Sequence, residues 1–551
     1  MPSSRRRRSM GLVTASLAAL IALTACSSNG STDTSAAASG DSLVTAWPSD
    51  VSTLDPGNVS TDQDKELTMN IYQRLLEYDF TTDENGSLVW KGLDAKASLA
   101  ESYELTGTSA IFHLRTDVTF YPSGNPLTAD DVLFSFQRSM ALGGSTDFSN
   151  GGLQQPSQFS VVDEHTFKMD FTDVAGNPVE ATPTLIATMR FPNFGIVDSK
   201  VAKEHATADD PNANEWLRSN AAGTGPYYID SRTPGQELTL QAVPDLWSGE
   251  PAYKTVTVRV VNNGNIASLV RSGQVNVGLF GLTQKDLNDL STAGLTVDHQ
   301  ATPDFIHLQL AEDSGPFADE KVRQAVATVL PYQDMVDNIF FGRAERSLSY
   351  VNLKAPGYDE AWGMYQTDVA EAKALMAEAG NPKIEVPLQY SNAEPAYEDM
   401  AILIQSSLKD IGITATLQPQ TPAAMFNLIL QRATAKAGDA LTEPQMVMFN
   451  LSIYLDDPKS PVSFYSRSGG ALNYPRHSDP AFDAIADANQ FTAPSPEREQ
   501  AYVGLQQQAA TDASFIPMIV TGRTVVVSKG ITGIAYSPEI GVRYWMLTPQ
   551  A

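Results

Sequence analysis

The sequence of 551 residues contains a single cysteine, Cys26, and only six histidines. One cysteine excludes an internal disulfide and any site built on two cysteine ligands. No two histidines are spaced four residues apart, the spacing that places two metal ligands on one helical face. The six are His113, His165, His205, His299, His307 and His477. The sequence therefore predicts neither a metal site nor a cofactor.

Common catalytic motifs are also absent. The sequence lacks a Gly-x-x-x-x-Gly-Lys-Ser/Thr phosphate loop, a Gly-x-Ser-x-Gly nucleophile turn and a His-Glu-x-x-His zinc motif. Two adjacent carboxylate pairs, Asp130-Asp131 and Asp456-Asp457, are interpreted as a helix cap and a solvated turn, since such pairs seldom do acid–base work. We expect no catalytic residues.

A long apolar run is missing everywhere except near the start. Arg5–Arg8 precede an apolar stretch, Met10–Leu23, which is shorter than the roughly 20 residues that span a bilayer. This order is typical of an export signal at residues 1–25. Leu23-Thr24-Ala25-Cys26 resembles a bacterial lipobox, which implies cleavage before Cys26 and lipid attachment to it. A chance cysteine beside an ordinary signal and an N-terminal membrane helix are the alternatives, and the Sec and twin-arginine export routes both stay open.

Basic residues are scarce: 37 Lys and Arg stand against 64 Asp and Glu. Removal of the signal would take away four of the arginines and make the balance still more acidic. Such a surface repels phosphate backbones, so nucleic acid is excluded as a partner. A negative cleft would instead concentrate cationic ligands.

The segment that follows Cys26 is rich in Ser, Thr, Ala, Gly, Asn and Asp, so residues 26–41 are predicted to form a flexible tether. The remaining chain is too long for one core, and we expect two or three lobes. The pattern predicts a strand at Ser42–Ala46 and a helix over Asp62–Glu77. It also predicts strands at Phe112–Leu114 and Val118–Phe120.

A helix is predicted from about Ala129 to Met140, with Thr128 and Asp131 as its capping box. In the second half, Asp368 is expected to cap a helix that stops at Gly380. The elements that follow are a strand at Ile384–Tyr390, a helix over Tyr397–Ile411 and a strand at Ile413–Leu417. This strand–helix–strand order predicts an α/β lobe with partly parallel strands.

Nine segments occur in an order and spacing that resemble the large extracytoplasmic substrate-binding proteins of ABC importers (solute-binding family 5), which include oligopeptide-, dipeptide- and nickel-binding proteins. They are Ser52–Pro56, Asn70–Leu76, Leu99–Tyr103, Phe112–Phe120, Pro126–Phe136, Gly223–Tyr227, Asp319–Val326, Gly342–Ala344 and Ala370–Gly380. The resemblance implies an α/β, two-lobed periplasmic-binding-protein fold of type II with an extra inserted domain. It also implies a monomeric receptor that is no enzyme and that serves an ABC permease and ATPase complex.

Mapped onto this chain, the resemblance places the first lobe at residues 42–79, 220–303 and 521–551. The inserted domain would cover residues 80–219, and the second lobe residues 304–520. Gly223-Thr224-Gly225-Pro226 would supply backbone freedom for a crossover between lobes. Closure around a ligand would then be a hinge motion between the lobes.

In the peptide-binding members, a strand of the second lobe carries an aspartate, four residues before a proline, that pairs with the ligand's ammonium group. Here that position, four before Pro458, is Tyr454. Asn450, Ser452 and Tyr454 share one face of the predicted strand, and Asp456 continues that face. These four residues are the predicted ligand-binding set. The alternative is that Tyr454 is merely packed and Asp456 merely caps the turn.

Three functions remain open at this point. The first is an importer receptor for peptides, and the second is the same receptor for an oligosaccharide, metal chelate or other polar metabolite. A secreted hydrolase is the distant third. A tyrosine at position 454 suits stacking on a sugar or aromatic group better than pairing with a buried ammonium.

Replacing Cys26 with Ala should move the protein from the detergent phase to the aqueous phase when cells are partitioned, because the lipid would be lost and the fold begins farther along the chain. The neighbouring substitution Ser27→Ala is the matched control and should leave the protein in the detergent phase. A Cys26→Ala protein that stays in the detergent phase would contradict lipid anchoring.

Overall fold

The computed structural model describes residues 40–142, 145–262, 265–435, 446–452 and 455–550, with the backbone alone at 145, 146, 451 and 452. The predicted first strand is confirmed and runs over Ser42–Trp47. It lies at the centre of a seven-stranded sheet and pairs in parallel with Thr255–Val260. In spatial order the strands are Thr296–Gln300, Arg523–Val527, Val277–Gly278, Ser42–Trp47, Thr255–Val260, Glu237–Ala242 and Tyr227–Thr233.

A six-stranded sheet forms the second lobe. Its strands at Ile384–Ser391, Ile413–Gln420 and Met446–Ser452 run parallel to one another, which confirms the α/β prediction for this half. The neighbouring strand Asp304–Leu310 runs antiparallel to Met446–Ser452. In spatial order the strands are Glu345–Arg346, Phe515–Val520, Asp304–Leu310, Met446–Ser452, Ile384–Ser391 and Ile413–Gln420.

Three smaller sheets complete the strands of the described residues. The hairpin Leu76–Thr82 and Leu88–Ala97 is joined by Ala535–Tyr536, so the C-terminal part of the chain holds this hairpin. A four-stranded sheet, Ala100–Thr106, Ser109–Leu114, Thr166–Asp170 and Phe159–Asp163, covers a core rich in phenylalanine. Ile531–Thr532 pairs with Thr548–Pro549.

The α-helices pack on these sheets, and single 3-10 or π turns connect them. The α-helices are Asp62–Ile71, Ala129–Ala141, Ser145–Asn150, Pro183–Ile186, Ser199–Glu204, Asn214–Leu217, Ile266–Arg271, Gln284–Thr292, Glu320–Val329, Tyr332–Asp334, Val369–Glu378, Pro395–Asp410, Pro422–Ala433, Lys459–Pro461, Pro480–Asn489 and Pro496–Asp512. The shorter turns are Pro56–Asn58, Pro156–Gln158, Ala187–Arg190, Pro192–Phe194, Gly315–Ala318, Met335–Ile339, Ala361–Met364, Val462–Ser466 and Tyr544–Met546.

The predicted helix caps are confirmed. Thr128 and Asp131 form the expected capping box, in which the Asp131 carboxylate accepts the Thr128 backbone N–H at 2.9 Å. Asp368 accepts two backbone N–H groups at the start of its helix, and Gly380 follows the end with φ +83°. These local patterns determine where a helix begins and ends, because they provide hydrogen-bond partners for the terminal N–H and C=O groups that have none within the helix.

Two predicted elements are wrong in extent. The first long helix ends at Ile71 and not at Glu77, and Leu76 already begins a strand. Ile71 lies directly under Gly225, whose N–H donates to the Ile71 carbonyl at 3.2 Å, so the chain must leave the helix there. Val118–Phe120 forms no strand; Thr119 makes one isolated bridge to Pro126.

The predicted crossover role of Gly223-Thr224-Gly225-Pro226 stays a prediction. Gly223 and Gly225 pack within the first lobe, where an added Cβ would lie 2.2 Å from Ile71 backbone atoms. In the described chain the crossing is made by two antiparallel segments, 300–304 and 520–523, here called the hinge ribbon. The two-lobed α/β fold agrees with expectation, whereas the exact domain boundaries stay a prediction.

An ion pair fastens the hinge ribbon. Arg523 Nε lies 2.9 Å from Asp304 Oδ2, and both side chains are buried. Arg523 also donates to the backbone carbonyls of Ser537, at 2.8 Å, and Pro538. Because a buried charge is stable only when it is paired and hydrogen-bonded, this network holds the two segments in register.

Within the residues that the structure describes, no helix has the length and apolar character needed to cross a membrane.

Gly522→Ala should destabilise the protein more than Gly530→Ala. Both glycines have positive φ, +59° and +86°, where an alanine costs roughly 1–2 kcal/mol. Only at Gly522 would the new Cβ also meet protein, 2.5 Å from the Gln300 carbonyl oxygen. Urea unfolding of both variants measures the difference. Equal losses of stability would contradict a tight ribbon at this position.

Candidate functional site

A cavity of about 620 Å³ lies where the second lobe meets the first. Its second-lobe wall is formed at the carboxyl ends of the three parallel strands, at Ser391 and Asn450, and by the helices that begin at Pro395 and Pro422. In open α/β sheets ligands bind at this edge, because side chains and helix N-termini converge there. The cavity is therefore the candidate ligand site.

The opposite wall and the floor come from other parts of the chain. Asp62, Leu279, Leu282 and Ile540 line it from the first lobe. Thr521, Gly522 and Arg523 of the hinge ribbon also line it. Any change in the angle between the lobes therefore changes the width of this cavity.

Asn450 is the one predicted ligand residue whose side chain is described in this cavity. It lies near the end of the strand Met446–Ser452 and is half-buried. Its Nδ2 donates to the hydroxyl of Tyr397 at 2.6 Å. The Tyr397 oxygen is thereby fixed as an acceptor, and its own O–H is free to donate to a ligand. Sequence reasoning missed Tyr397.

Three carboxylates surround Tyr397. Burial raises the pKa of the Tyr397 hydroxyl, and the negative charges of Glu394, Asp304 and Asp62 raise it further. Asp304 is neutralised by Arg523, and Asp62 by Lys65, whose Nζ lies 3.0 Å away. Glu394 is the carboxylate that faces the cavity without a hydrogen bond or ion pair to any described residue.

Glu394 occupies an unusual environment for a surface residue. Its side chain is exposed to the cavity. The surrounding walls nevertheless displace much of the solvent around the carboxylate, and this desolvation raises the pKa of Glu394. It stands at the N-cap of the helix Pro395–Asp410 without capping it. The sequence feature that could have indicated Glu394 as a site residue is Ser391-Asn392-Ala393-Glu394-Pro395, a polar turn directly after a parallel strand.

The second-lobe wall also carries two aromatic side chains. Phe426 and Phe449 face each other with ring centroids 6.5 Å apart, and both line the cavity. An aromatic wall beside a carboxylate and an amide suits a ligand that carries both an apolar group and a polar or cationic group.

Two of the predicted residues cannot be placed at the level of side chains. Ser452 ends the strand and pairs with Asp304, but its side chain lies outside the described atoms. Tyr454 lies outside the described residues, as does Cys26. Their roles stay predictions.

Asp456 is fully buried and makes structural contacts. Its carboxylate accepts the indole N–H of Trp90 at 2.7 Å and the side-chain amide of Asn352. Burial raises its pKa to about 6, against the opposing charges of Arg190 and Lys354. Asp456 is absent from the residues that line the cavity, and its role toward ligand stays untested.

The neighbouring Asp457 corrects one expectation. It is buried, pairs with Arg498 at 2.8 Å and accepts the backbone N–H of Lys459 at 2.8 Å. The interpretation of Asp456-Asp457 as a solvated turn is therefore wrong. Two adjacent acids are tolerated in the interior because each has its own donors.

No group of three His, Cys, Asp or Glu side chains in the described part of the chain is arranged to hold a metal ion.

Comparison with known proteins adds the family. The model of the bacterial extracellular solute-binding proteins, family 5, matches residues 94–473. The probable D,D-dipeptide-binding periplasmic protein DdpA of Escherichia coli K12 is 25% identical over 508 residues, which cover 91% of this chain and 92% of DdpA.

Two solved structures show the same fold. The periplasmic binding protein DppA of Helicobacter pylori, solved with the peptide STSA, has a TM-score of 0.72 and 20% identity, and the match covers 93% of this chain and 98% of DppA. MoaA of Agrobacterium tumefaciens R10, solved with mannopinic acid, has a TM-score of 0.72 and 22% identity, with 93% and 100% covered.

Asp456→Asn should flatten the pH dependence of stability between about pH 4 and pH 6. The pKa of Asp456 is raised from 3.8 to about 6 in the folded protein, so its contribution to stability is fully present below pH 4 and is lost as the pH rises through 6. The loss amounts to about 3 kcal/mol, since each pKa unit corresponds to about 1.4 kcal/mol. Urea unfolding at several pH values measures it, and parallel profiles for both proteins would contradict this assignment.

Proposed function

The chain belongs to family 5 of the bacterial extracellular solute-binding proteins, and on this premise we propose that it is the receptor of an ABC importer that binds a peptide between its lobes. The observation that carries the proposal is the cavity at the strand ends, walled by both lobes. Its volume of about 620 Å³ falls in the usual range of ligand sites, roughly 300–1,000 Å³. The protein acts as a receptor and delivers its ligand to the permease and ATPase without converting it.

The proposed mechanism is closure around the ligand. A molecule that contacts both walls stabilises the conformation in which the walls are near each other. The hinge ribbon is the element that bends, and the Asp304–Arg523 pair keeps its two segments together during the motion. A ligand favours the closed conformation to the extent that it contacts both walls there and only one wall in the open conformation.

For the peptide we assign roles to four residues. Glu394 accepts the terminal ammonium group, and Tyr397 and Asn450 hydrogen-bond the peptide backbone. Tyr454 supplies a stacking surface beside the strand. In this set Glu394 provides the carboxylate, because the residue four before Pro458 is Tyr454 and not an aspartate.

The proposed location is the outer face of the cell membrane. The family is extracellular, and the motif at Leu23–Cys26 supports a lipid anchor on Cys26 with residues 26–41 as tether. The anchored monomer would stay beside its permease. No nucleic acid is expected as a partner.

A non-peptide solute is the second candidate. Tyr454 in place of the aspartate of peptide-binding members favours it, and MoaA, of the same fold, was solved with mannopinic acid. A sugar acid or polar metabolite would use the neutral pair Asn450 and Tyr397 and stack on an aromatic side chain.

Glu394→Gln should weaken binding of a peptide with a free amino terminus by about 1.5–3 kcal/mol, the range for a hydrogen bond to a charged group. The same peptide after N-acetylation should bind the variant and the unaltered protein equally well, because it has no ammonium group for Glu394 to pair with. Calorimetric titration of both peptides measures the two effects. Glu398→Gln, one turn along the same helix and exposed, is the matched control.

Tyr454→Ala and Asp456→Asn extend the same titration. With a neutral ligand, Tyr454→Ala should dominate and Glu394→Gln should have little effect. If Asp456→Asn removes selectivity for the free amino terminus and Glu394→Gln does not, the acceptor is Asp456. Unchanged affinity in all three variants would mean that this face of the second lobe does not bind ligand.

A further inference from the structure

The ligand cavity carries more acidic than basic side chains. The carboxylates of Asp62, Asp304 and Glu394 line it, and Arg523 is the one cation among the described residues of its lining. Because Arg523 pairs with Asp304 at 2.9 Å, those two charges cancel. Asp62 and Glu394 therefore have no partner cation within the described lining.

These two carboxylates come from opposite walls. Glu394 stands at the start of the helix Pro395–Asp410 in the second lobe, and Asp62 opens the helix Asp62–Ile71 in the first. Burial raises the pKa of the Tyr397 hydroxyl, and the negative charges of both carboxylates raise it further. Both charges therefore act on the same part of the cavity, one from each lobe.

Asp62 keeps an oxygen available to a ligand. Its side chain is 46% exposed, and Lys65 Nζ donates to its Oδ1 at 3.0 Å. No described residue donates to Oδ2, and Lys65 is not among the described residues that line the cavity. An exposed ion pair of this kind contributes little stability, so a cation of the ligand can share the carboxylate.

Gln284 adds an acceptor to the wall of the first lobe. The residue lines the cavity, and its Oε1 is buried without a hydrogen-bond partner among the described atoms. A buried carbonyl oxygen is costly unless a donor reaches it. Ammonium and guanidinium groups have several N–H donors and no acceptor, so they match a wall of carboxylate and amide oxygens.

The aromatic side chains of the cavity suit the rest of a basic side chain. Phe426 is 40% exposed and Phe449 is half-buried, and both line the cavity, so ring surface is accessible to a ligand. Lysine and arginine lay their methylene stems on apolar surface while the charged head reaches a polar group. The face of an aromatic ring also attracts a cation.

We propose that the protein selects basic peptides, an inference that rests on the peptide-receptor function proposed above. Glu394 pairs with the terminal ammonium group, and Asp62 together with Gln284 receives the head of a lysine or arginine near that terminus. Because the two carboxylates belong to different lobes, one peptide with two cations contacts both walls and favours the closed conformation. The described lining offers no unpaired cation to the carboxyl terminus of the peptide, so that end does not determine affinity.

The probes are three amidated tetrapeptides, Ala-X-Ala-Ala-amide, in which X is lysine, norleucine or glutamate. Norleucine keeps the stem of lysine and lacks the charge. Calorimetric titration into the mature protein should show that the lysine peptide binds at least tenfold more tightly than the norleucine peptide, with the glutamate peptide weakest. Added salt should reduce the ratio of lysine to norleucine affinity, because it screens the charges.

Two variants separate the roles of the carboxylates. Asp62→Asn should abolish the preference for lysine over norleucine, whereas Glu394→Gln should weaken all three peptides and keep the preference. Asp289→Asn is the matched control. Asp289 also belongs to the first lobe, is 41% exposed and pairs with a lysine of its own helix, Lys285, at 2.5 Å, but it is absent from the lining. The overall acidic charge of the protein would affect both aspartate variants alike.

The outcomes distinguish this inference from the peptide-receptor function. Peptides that bind in no order of charge, or a preference for lysine that survives in Asp62→Asn or is lost equally in Asp289→Asn, would overturn the inference and leave the receptor function standing. If none of the three peptides binds, the receptor function for peptides fails and the inference fails with it. The salt series uses the unaltered protein, so a variant that folds poorly does not decide the result.

Discussion

The hinge ribbon is the constraint on which the rest of the structure depends. In the described chain the backbone passes between the lobes twice, at 300–304 and at 520–523, and both passages lie side by side. Asp304 and Arg523 pair between them, and Arg523 is further bound by the carbonyls of Ser537 and Pro538. Two passages with one fixed register permit rotation of the lobes but resist sliding, which is the motion that a closing cleft needs.

The same ribbon explains why polar groups concentrate beside it. Asp304, Thr521 and Arg523 of the ribbon line the ligand cavity. A ligand in this cavity therefore meets a polar floor.

Local patterns in the sequence predicted the elements that local interactions determine. The capping box at Thr128 and Asp131, the cap at Asp368 and the stop at Gly380 depend on residues within a few positions, and all are present. The end of the first helix at Ile71 depends on Gly225, more than 150 residues away in the chain, and a local pattern cannot contain it. Glycines signal freedom in isolation, but Gly223 and Gly225 are small because Ile71 lies against them.

The carboxylates show the same limit at the site. Asp456 and Glu394 are both acidic residues that follow a strand, and the family resemblance placed only Asp456 in the predicted ligand-binding set. The fold distinguishes the two carboxylates by the hydrogen-bond donors that it places beside each. Trp90 and Asn352, both remote in sequence, satisfy Asp456 and leave it in the interior. Glu394 receives no such donor from the described residues and faces the cavity beside Tyr397.

The satisfaction of Asp456 has a consequence for closure. Its bond to Trp90 joins the second lobe to the hairpin Leu88–Ala97, which the C-terminal strand Ala535–Tyr536 ties to the first lobe. Lys354 of the second lobe contacts the same Trp90: its Nζ lies over the Trp90 ring and donates to the Trp90 carbonyl. Trp90 is therefore a common contact of the two lobes. A carboxylate that holds such a contact is better placed to control the angle between the lobes than to select a ligand, and it leaves selection to the residues that line the open cavity.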